Sequence, residues 1–153
     1  MIKYKTYMKK KPNTFRKVSS SFCNKPHGGL WGCRGEEWKA WCEHENFALQ
    51  NLKTCFTWRL KRGSKVYRIK TKKDFDYLVD NYVFNIDGIP MSIDFVKLSE
   101  EYDAVEVVGD IVYKLRFNNA KYVDNLFMLK SMGLYAWDVP SICVMNHDKV
   151  VLL

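Results

Sequence analysis

Lys25-Pro26-His27-Gly28-Gly29-Leu30-Trp31-Gly32-Cys33 is the stretch on which the reading of this chain turns. Pro26 to Gly29 read as a turn, because paired glycines accept backbone angles closed to other residues and leave space beside the main chain for a ligand. Leu30 to Cys33 then read as a short strand carrying one large aromatic, Trp31. From Gly35 the period changes: Trp38, Trp41, Cys42 and Glu45 fall at i, i+3, i+4 and i+7, one face of a helix, with Glu36 and Glu37 at its positive end. On that face Trp38 and Trp41 are expected to be core. A glycine turn, an aromatic strand and a helix start in succession form a platform on which a planar ring, a nucleobase or a nicotinamide, can stack.

Outward from this stretch the pattern is mixed. Ile2 to Met8 alternates as a half-buried strand, and Lys9 to Asn24 is polar loop with room for a short strand at Phe15–Val18. Thr54–Leu60 and Lys65–Lys70 read as two strands on a Lys61–Ser64 turn. Lys72–Tyr82 reads as a helix with Phe75, Leu78, Val79 and Tyr82 on one stripe, broken by Asn85–Pro90. Ser92 is placed to cap a further helix through Tyr102. Asp103–Val108 reads as a strand, Gly109-Asp110 as a turn and Ile111–Phe117 as the partner strand. Asn119–Met132 is expected to be a helix ended by Gly133. Ser141–Met145 and Val150–Leu153 read as a closing pair of strands about Asn146-His147-Asp148. The order implies an α+β fold: one domain over residues 1–153, with two small packed antiparallel or mixed sheets and flanking helices.

The chain has 153 residues, 47% of them hydrophobic, enough for a packed core. No apolar run approaches the roughly 18 residues of a membrane span. Met1–Lys11 lacks the apolar stretch of a secretory signal, so a protein made whole and used in a cytoplasm is expected, without membrane contact. The five cysteines, an odd number without scaffold spacing, read as reduced thiols. Cys23, His27, Cys33, Cys42 and His44 lack the close paired spacing of structural zinc sites, and no metal is expected. Charge is divided: residues 1–73 carry 19 Lys and Arg against 4 Glu, residues 74–153 carry 6 against 13 Asp and Glu. A half this basic meets nucleic acid, holds a phosphate-bearing ligand, lies against the acidic half, or is a solvated face.

The same stretch resembles a family. Gly29-Leu30-Trp31-Gly32-Cys33 before a Trp/Cys helix is similar to the glycine–aliphatic–aromatic strand of the ADP-ribosyltransferase superfamily. Ser141–Val150 is similar to its last core strand and return. Lys-Pro-x-Gly-Gly-Leu-Trp, Trp-x-x-Trp-Cys, Glu-Tyr-Asp-Ala and Trp-Asp-x-x-Ser stand at 25–31, 38–42, 101–104 and 137–141, as in small phage and bacterial proteins of this kind. The resemblance spans about residues 2–152. It implies an ADP-ribosyltransferase-like fold and an enzyme that takes NAD as substrate. Such an enzyme transfers ADP-ribose to a protein or nucleic-acid acceptor, or hydrolyses NAD, in the manner of a phage or bacterial effector. Trp31 would stack the nicotinamide while Gly28, Gly29 and Leu30 shape its approach. Two departures are plain. Where the family carries Arg or His on its first strand, this chain has Lys3 and Lys5, with His27 near in sequence. Where the family carries its catalytic Glu, this chain has Ser141, which leaves Glu106 or Asp138 as the acid.

The alternative is a non-enzymatic basic protein that blocks a host defence factor or grips nucleic acid. It would use Lys9–Lys11, Arg16-Lys17 and Lys61-Arg62, with Tyr4, Tyr7, Phe15 or Trp58 as stacking partners. A carboxylate sharing one cleft with Trp31 and a basic rim favours the enzyme. Carboxylates remote from Trp31, together with lysines in a continuous stripe, favour the binder.

Overall fold

A computed structural model describes residues 1–21, 23–116 and 126–153. In chain order these form β1 (Tyr4–Tyr7), β2 (Leu30–Gly32), α1 (Glu37–Glu45), β3 (Cys55–Leu60), β4 (Val66–Ile69), α2 (Lys72–Asn81), β5 (Val83–Ile86), β6 (Ile89–Ile93), α3 (Phe95–Glu101), β7 (Ala104–Val107), α4 (Ile111–Lys114), α5 (Phe127–Met132), β8 (Ser141–Val144) and β9 (Val150–Leu152). The fold is α+β, and the described residues form three small sheets, one more than expected, in the orders β1-β3-β9, β2-β8-β7-β4 and β5-β6. All strand pairs are antiparallel except β4 with β7. None of the described helices is long and apolar enough to cross a membrane.

The four-stranded sheet is buried on both faces, and side-chain alternation decides what each face holds. Val105, Val107, Cys143 and Ile69 point to one side, where they pack with Phe75, Leu78 and Val79 of α2 and Phe95 and Leu98 of α3. Leu30, Ala104, Ile142 and Val144 point to the other, against Tyr4 and Trp58 of the three-stranded sheet. The two sheets are stitched where Lys5 and Cys33 exchange backbone hydrogen bonds of 2.7 and 3.0 Å. Gly32 makes this crossing possible: a Cβ there would lie 2.7 Å from the Trp58 ring. Trp58 is fully buried, stacks on Tyr4 at 4.9 Å, and donates its indole N–H to Thr6 Oγ1 at 2.8 Å. Thr6 in turn donates to the Trp31 carbonyl.

Several expectations are corrected. β3 and β4 follow one another on the Lys61–Ser64 turn yet belong to different sheets, because β4 pairs in parallel with β7 across the α2–β5–β6–α3 crossover. β8 and β9 likewise do not pair; β8 lies between β2 and β7, and β9 adds to β3. Ile111–Lys114 is a helix, not a strand: Ile111, Val112 and Leu115 are buried while Tyr113 and Lys114 are exposed, the spacing of a helical face. Phe117 and residues 119–125 of the expected Asn119–Met132 helix lie outside the described residues; α5 occupies its end, with Gly133 at the C-cap. The β5–β6 hairpin fills the expected break, on a turn where Asp87 and Gly88 both take positive φ. Asp94, whose side chain accepts from Lys97 N at 2.9 Å, caps α3, while Ser92 is buried in β6. Phe15–Val18 forms no strand; nearby there is a lone bridge between Ser19 and His27.

Gly32→Ala is expected to destabilise the protein by about 1–3 kcal/mol, the cost of forcing a methyl into a packed core. Chemical denaturation with unchanged slope and a lowered midpoint is the measurement. An unchanged midpoint would mean the two sheets do not meet as described.

Candidate functional site

Trp31 lies on β2 in register with Cys143 of β8, which is itself in register with Val105 of β7. It therefore points to the helix side of the sheet, where its ring meets the buried Trp137 edge-on at 5.0 Å. Its indole N–H donates to the Gly28 carbonyl at 2.9 Å, which fixes the ring's orientation. Trp137 is held by a second indole bond, to the Asn24 carbonyl at 2.6 Å. Asn24 also donates its side-chain amide to the carbonyls of Leu129 and Gly133, at 2.8 and 3.0 Å, and so caps the C-terminal end of α5. The chain from 24 to 31 is thereby pinned to the chain from 129 to 138.

This pinning creates a cavity of about 410 Å³ beside Trp31, lined also by Lys5, Thr6 and Tyr7 of β1, Lys25, Trp38, Phe47 and Asn51 near α1, and Asp138, Val139 and Ser141 ahead of and on β8. The Lys25 ammonium sits 5.0 Å from the centre of the Trp31 ring and 3.9 Å from Asp138. Arg116 approaches the other Asp138 oxygen at 3.6 Å. Lys5 pairs with Glu36, which also accepts from the Tyr7 hydroxyl. Burial and this hydrogen bond together push the Tyr7 phenol up, so it stays protonated.

Lys5, Trp31, Asp138 and Ser141 are thus brought together. The other candidates lie elsewhere. Glu106 follows Val105 by one residue and so points to the opposite face of the sheet, between the two sheets. There it is 2% exposed and accepts from Arg34 Nε at 2.7 Å, Arg68 Nε at 2.9 Å and the Tyr4 hydroxyl at 3.2 Å. Leu30 is buried between the sheets; Lys3 and His27 are exposed and outside the cavity. Gly28 and Gly29 do have positive φ, but the space beside them is filled by protein. A Cβ on Gly28 would lie 2.5 Å from the Lys17 carbonyl, and one on Gly29 2.4 Å from Cys143 Sγ. Their role is close chain approach, not an opening for a ligand.

Sequence reasoning missed Lys25, although it opens the diagnostic stretch; its position over Trp31 depends on the turn's shape. It also placed Trp38 and Trp41 in the core. They are half-buried, stack on each other at 5.1 Å, and meet the half-exposed Phe47 edge-on, so that of α1 it is Cys42 that is buried. Tyr4 and Trp58, offered as stacking partners for bases, are buried and unavailable. Among the described residues, no three His, Cys, Asp or Glu side chains gather where they would hold a metal ion. In comparison with known proteins, no family model, curated protein or solved structure matches this chain.

The cysteines divide by burial. Cys33, Cys42 and Cys143 are buried, Cys23 is partly exposed and Cys55 is exposed. Burial, helped by the charge of Glu37, pushes the Cys33 thiol up to about 12. Thiol labelling at neutral pH should therefore consume Cys55 and Cys23 while the other three wait for unfolding. Because the folded state holds the Cys33 proton after the unfolded state has released it, stability contributed here is intact below pH 9.0 and falls toward pH about 12. Rapid labelling of Cys33 in the native protein, or stability that rises over this alkaline range, would contradict the arrangement.

Proposed function

We propose that the cavity beside Trp31 binds NAD and that the protein transfers ADP-ribose from it to a macromolecule, or hydrolyses it. The observation that carries this reading is that Trp31 and the Asp138 carboxylate share one cavity with two lysines, Lys5 and Lys25. The seat now held by the Lys25 ammonium, over an indole face and near a carboxylate, suits a flat cationic ring, and the pyridinium of NAD is one. A ring entering there moves Lys25 aside, toward the dinucleotide's phosphates.

In the reaction the bond between C1′ of the ribose and the nicotinamide nitrogen breaks, and its electron pair leaves with nicotinamide. C1′ gains positive charge as this happens. Asp138, whose contacts to Lys25 and Arg116 are both long, stabilises that charge. An acceptor oxygen or nitrogen then bonds to C1′ and releases its proton to solvent. Ser141, at the start of β8, lines the same cavity and donates its hydroxyl to the Val139 carbonyl at 3.0 Å, so its oxygen accepts from a ribose hydroxyl. Trp38 and Phe47 close the apolar side of the pocket and exclude water from the departing ring. Glu106 serves as the clamp between sheets instead of the acid, with both its oxygens already engaged.

Nicotinamide release from NAD tests this. Asp138→Asn should lower it about 10²- to 10³-fold, the scale of removing one electrostatic stabiliser, and Trp31→Ala should raise the NAD concentration needed. Glu106→Gln should instead lower stability by about 3 kcal/mol, the lower end for breaking a buried pair because both guanidinium groups remain partly hydrated, with release per folded molecule preserved. No release from the wild-type protein, with or without cell extract, would overturn the reading.

A further inference from the structure

The charge division in the sequence is not resolved by pairing within the fold. In residues 1–73 the described ion pairs engage Lys5, Lys25, Arg34, Arg68 and Lys72. Lys9, Lys10, Lys11 and Lys53 form none among the described residues, and all four are exposed. The fold also gathers them. The backbone bond from Met8 N to the Thr54 carbonyl, 3.2 Å, joins the exit of β1 to the entry of β3, so Lys9–Lys11 leave the sheet beside Lys53. Tyr7 and Asn51, two residues from Lys9 and Lys53 respectively in the chain, line the Trp31 cavity. A second, shallower depression shares Lys5 and Tyr7 with that cavity and adds Lys39 and Lys53. Glu36 and Glu43 are its acids, and Glu36 is already taken by Lys5 and Tyr7.

Beside this basic rim stands the aromatic group that α1 leaves out of the core. Trp38 and Trp41 are stacked and half-buried, and Phe47 is 50% exposed against them. Unpaired cations next to accessible aromatic rings are the two parts of a single-stranded nucleic-acid surface: lysines follow the phosphates and rings stack unpaired bases. An acidic protein would engage the lysines but has no need of the aromatic group, and a duplex keeps its bases out of reach.

We infer that the acceptor is a single-stranded nucleic acid, held by Lys9–Lys11 and Lys53 and stacked on the Trp41–Phe47 group at the mouth of the cavity. This rests on the reading of that cavity as an NAD site. The new bond joins C1′ of the ribose to an oxygen or amine nitrogen of the strand, with its proton passing to solvent and nicotinamide leaving.

The test measures binding of labelled short single strands of DNA and of RNA by fluorescence anisotropy, without NAD, and nicotinamide release separately, without nucleic acid. Four phosphate contacts give a slope of log affinity against log salt of about −3. Lys9→Gln, Lys10→Gln and Lys11→Gln combined should flatten it by about 2 and leave release in the absence of nucleic acid unchanged. Trp41→Ala should weaken binding about tenfold through lost stacking, and Trp41→Phe should restore it. No saturable binding, a duplex bound as tightly as a single strand, or polyglutamate bound as tightly and unaffected by Trp41→Ala would each overturn the inference. Binding without release of nicotinamide would instead remove the NAD reading on which the acceptor role stands. Release without binding would leave that reading in place and remove the acceptor.

Discussion

The buried carboxylate of Glu106 is the constraint around which the structure is arranged. An ionised group taken out of water is tolerated only when its lone pairs are met, and here they are met from three separate segments. Tyr4 comes from the three-stranded sheet, Arg68 from the strand paired in parallel with β7, and Arg34 from the turn after β2. No two of these donors are close in sequence, so the carboxylate is satisfied only when both sheets and the crossover are in place. The guanidinium groups keep part of their hydration at the rim, which limits the desolvation cost to the acid itself. Gly32 and Trp58 act at the neighbouring point on the same interface, where the absent side chain lets the sheets close.

That clamp also determines which side chains share a face with Trp31. Because strands alternate, the residue that locks the sheets together cannot share a face with Trp31. The helix-side face is left with an indole, a loop carboxylate and lysines from two segments. The carboxylate is there because Asn24 ties the end of α5 to the turn before β2, and Trp137 fills the gap between them. Asp138, next to Trp137, lines the cavity.

Local pattern revealed the elements whose side chains report their own environment. α2 was legible because its helical spacing names the stripe that is buried, and β1, β2, α1 and β7 were legible as elements though not in which of their side chains are buried. The Gly28–Cys33 stretch pointed to the cavity through Trp31. Pairing was less legible. The turn after β3 looks like a hairpin, but the parallel partner of β4 lies a whole crossover away, and nothing in residues 61–64 records that. Ile111–Leu115 has the β-branched residues of a strand, and only burial in pairs shows the helix. Glu106 was read as a candidate acid and not as a clamp, since its partners are Tyr4, Arg34 and Arg68, far apart in the chain. Lys25 was hidden for a similar reason: a cation becomes part of an aromatic site through the shape of a turn, which composition does not encode.

The most direct test of the account is the set of indole N–H resonances of the five tryptophans, followed by NMR as NAD is added. The account predicts that the Trp31 signal moves most, because the cationic ring replaces Lys25 over it, while the Trp58 signal, on the far side of the sheet and bonded to Thr6, stays in place. A saturating titration in which Trp31 does not move, or one that shifts Trp58 as much, would contradict it.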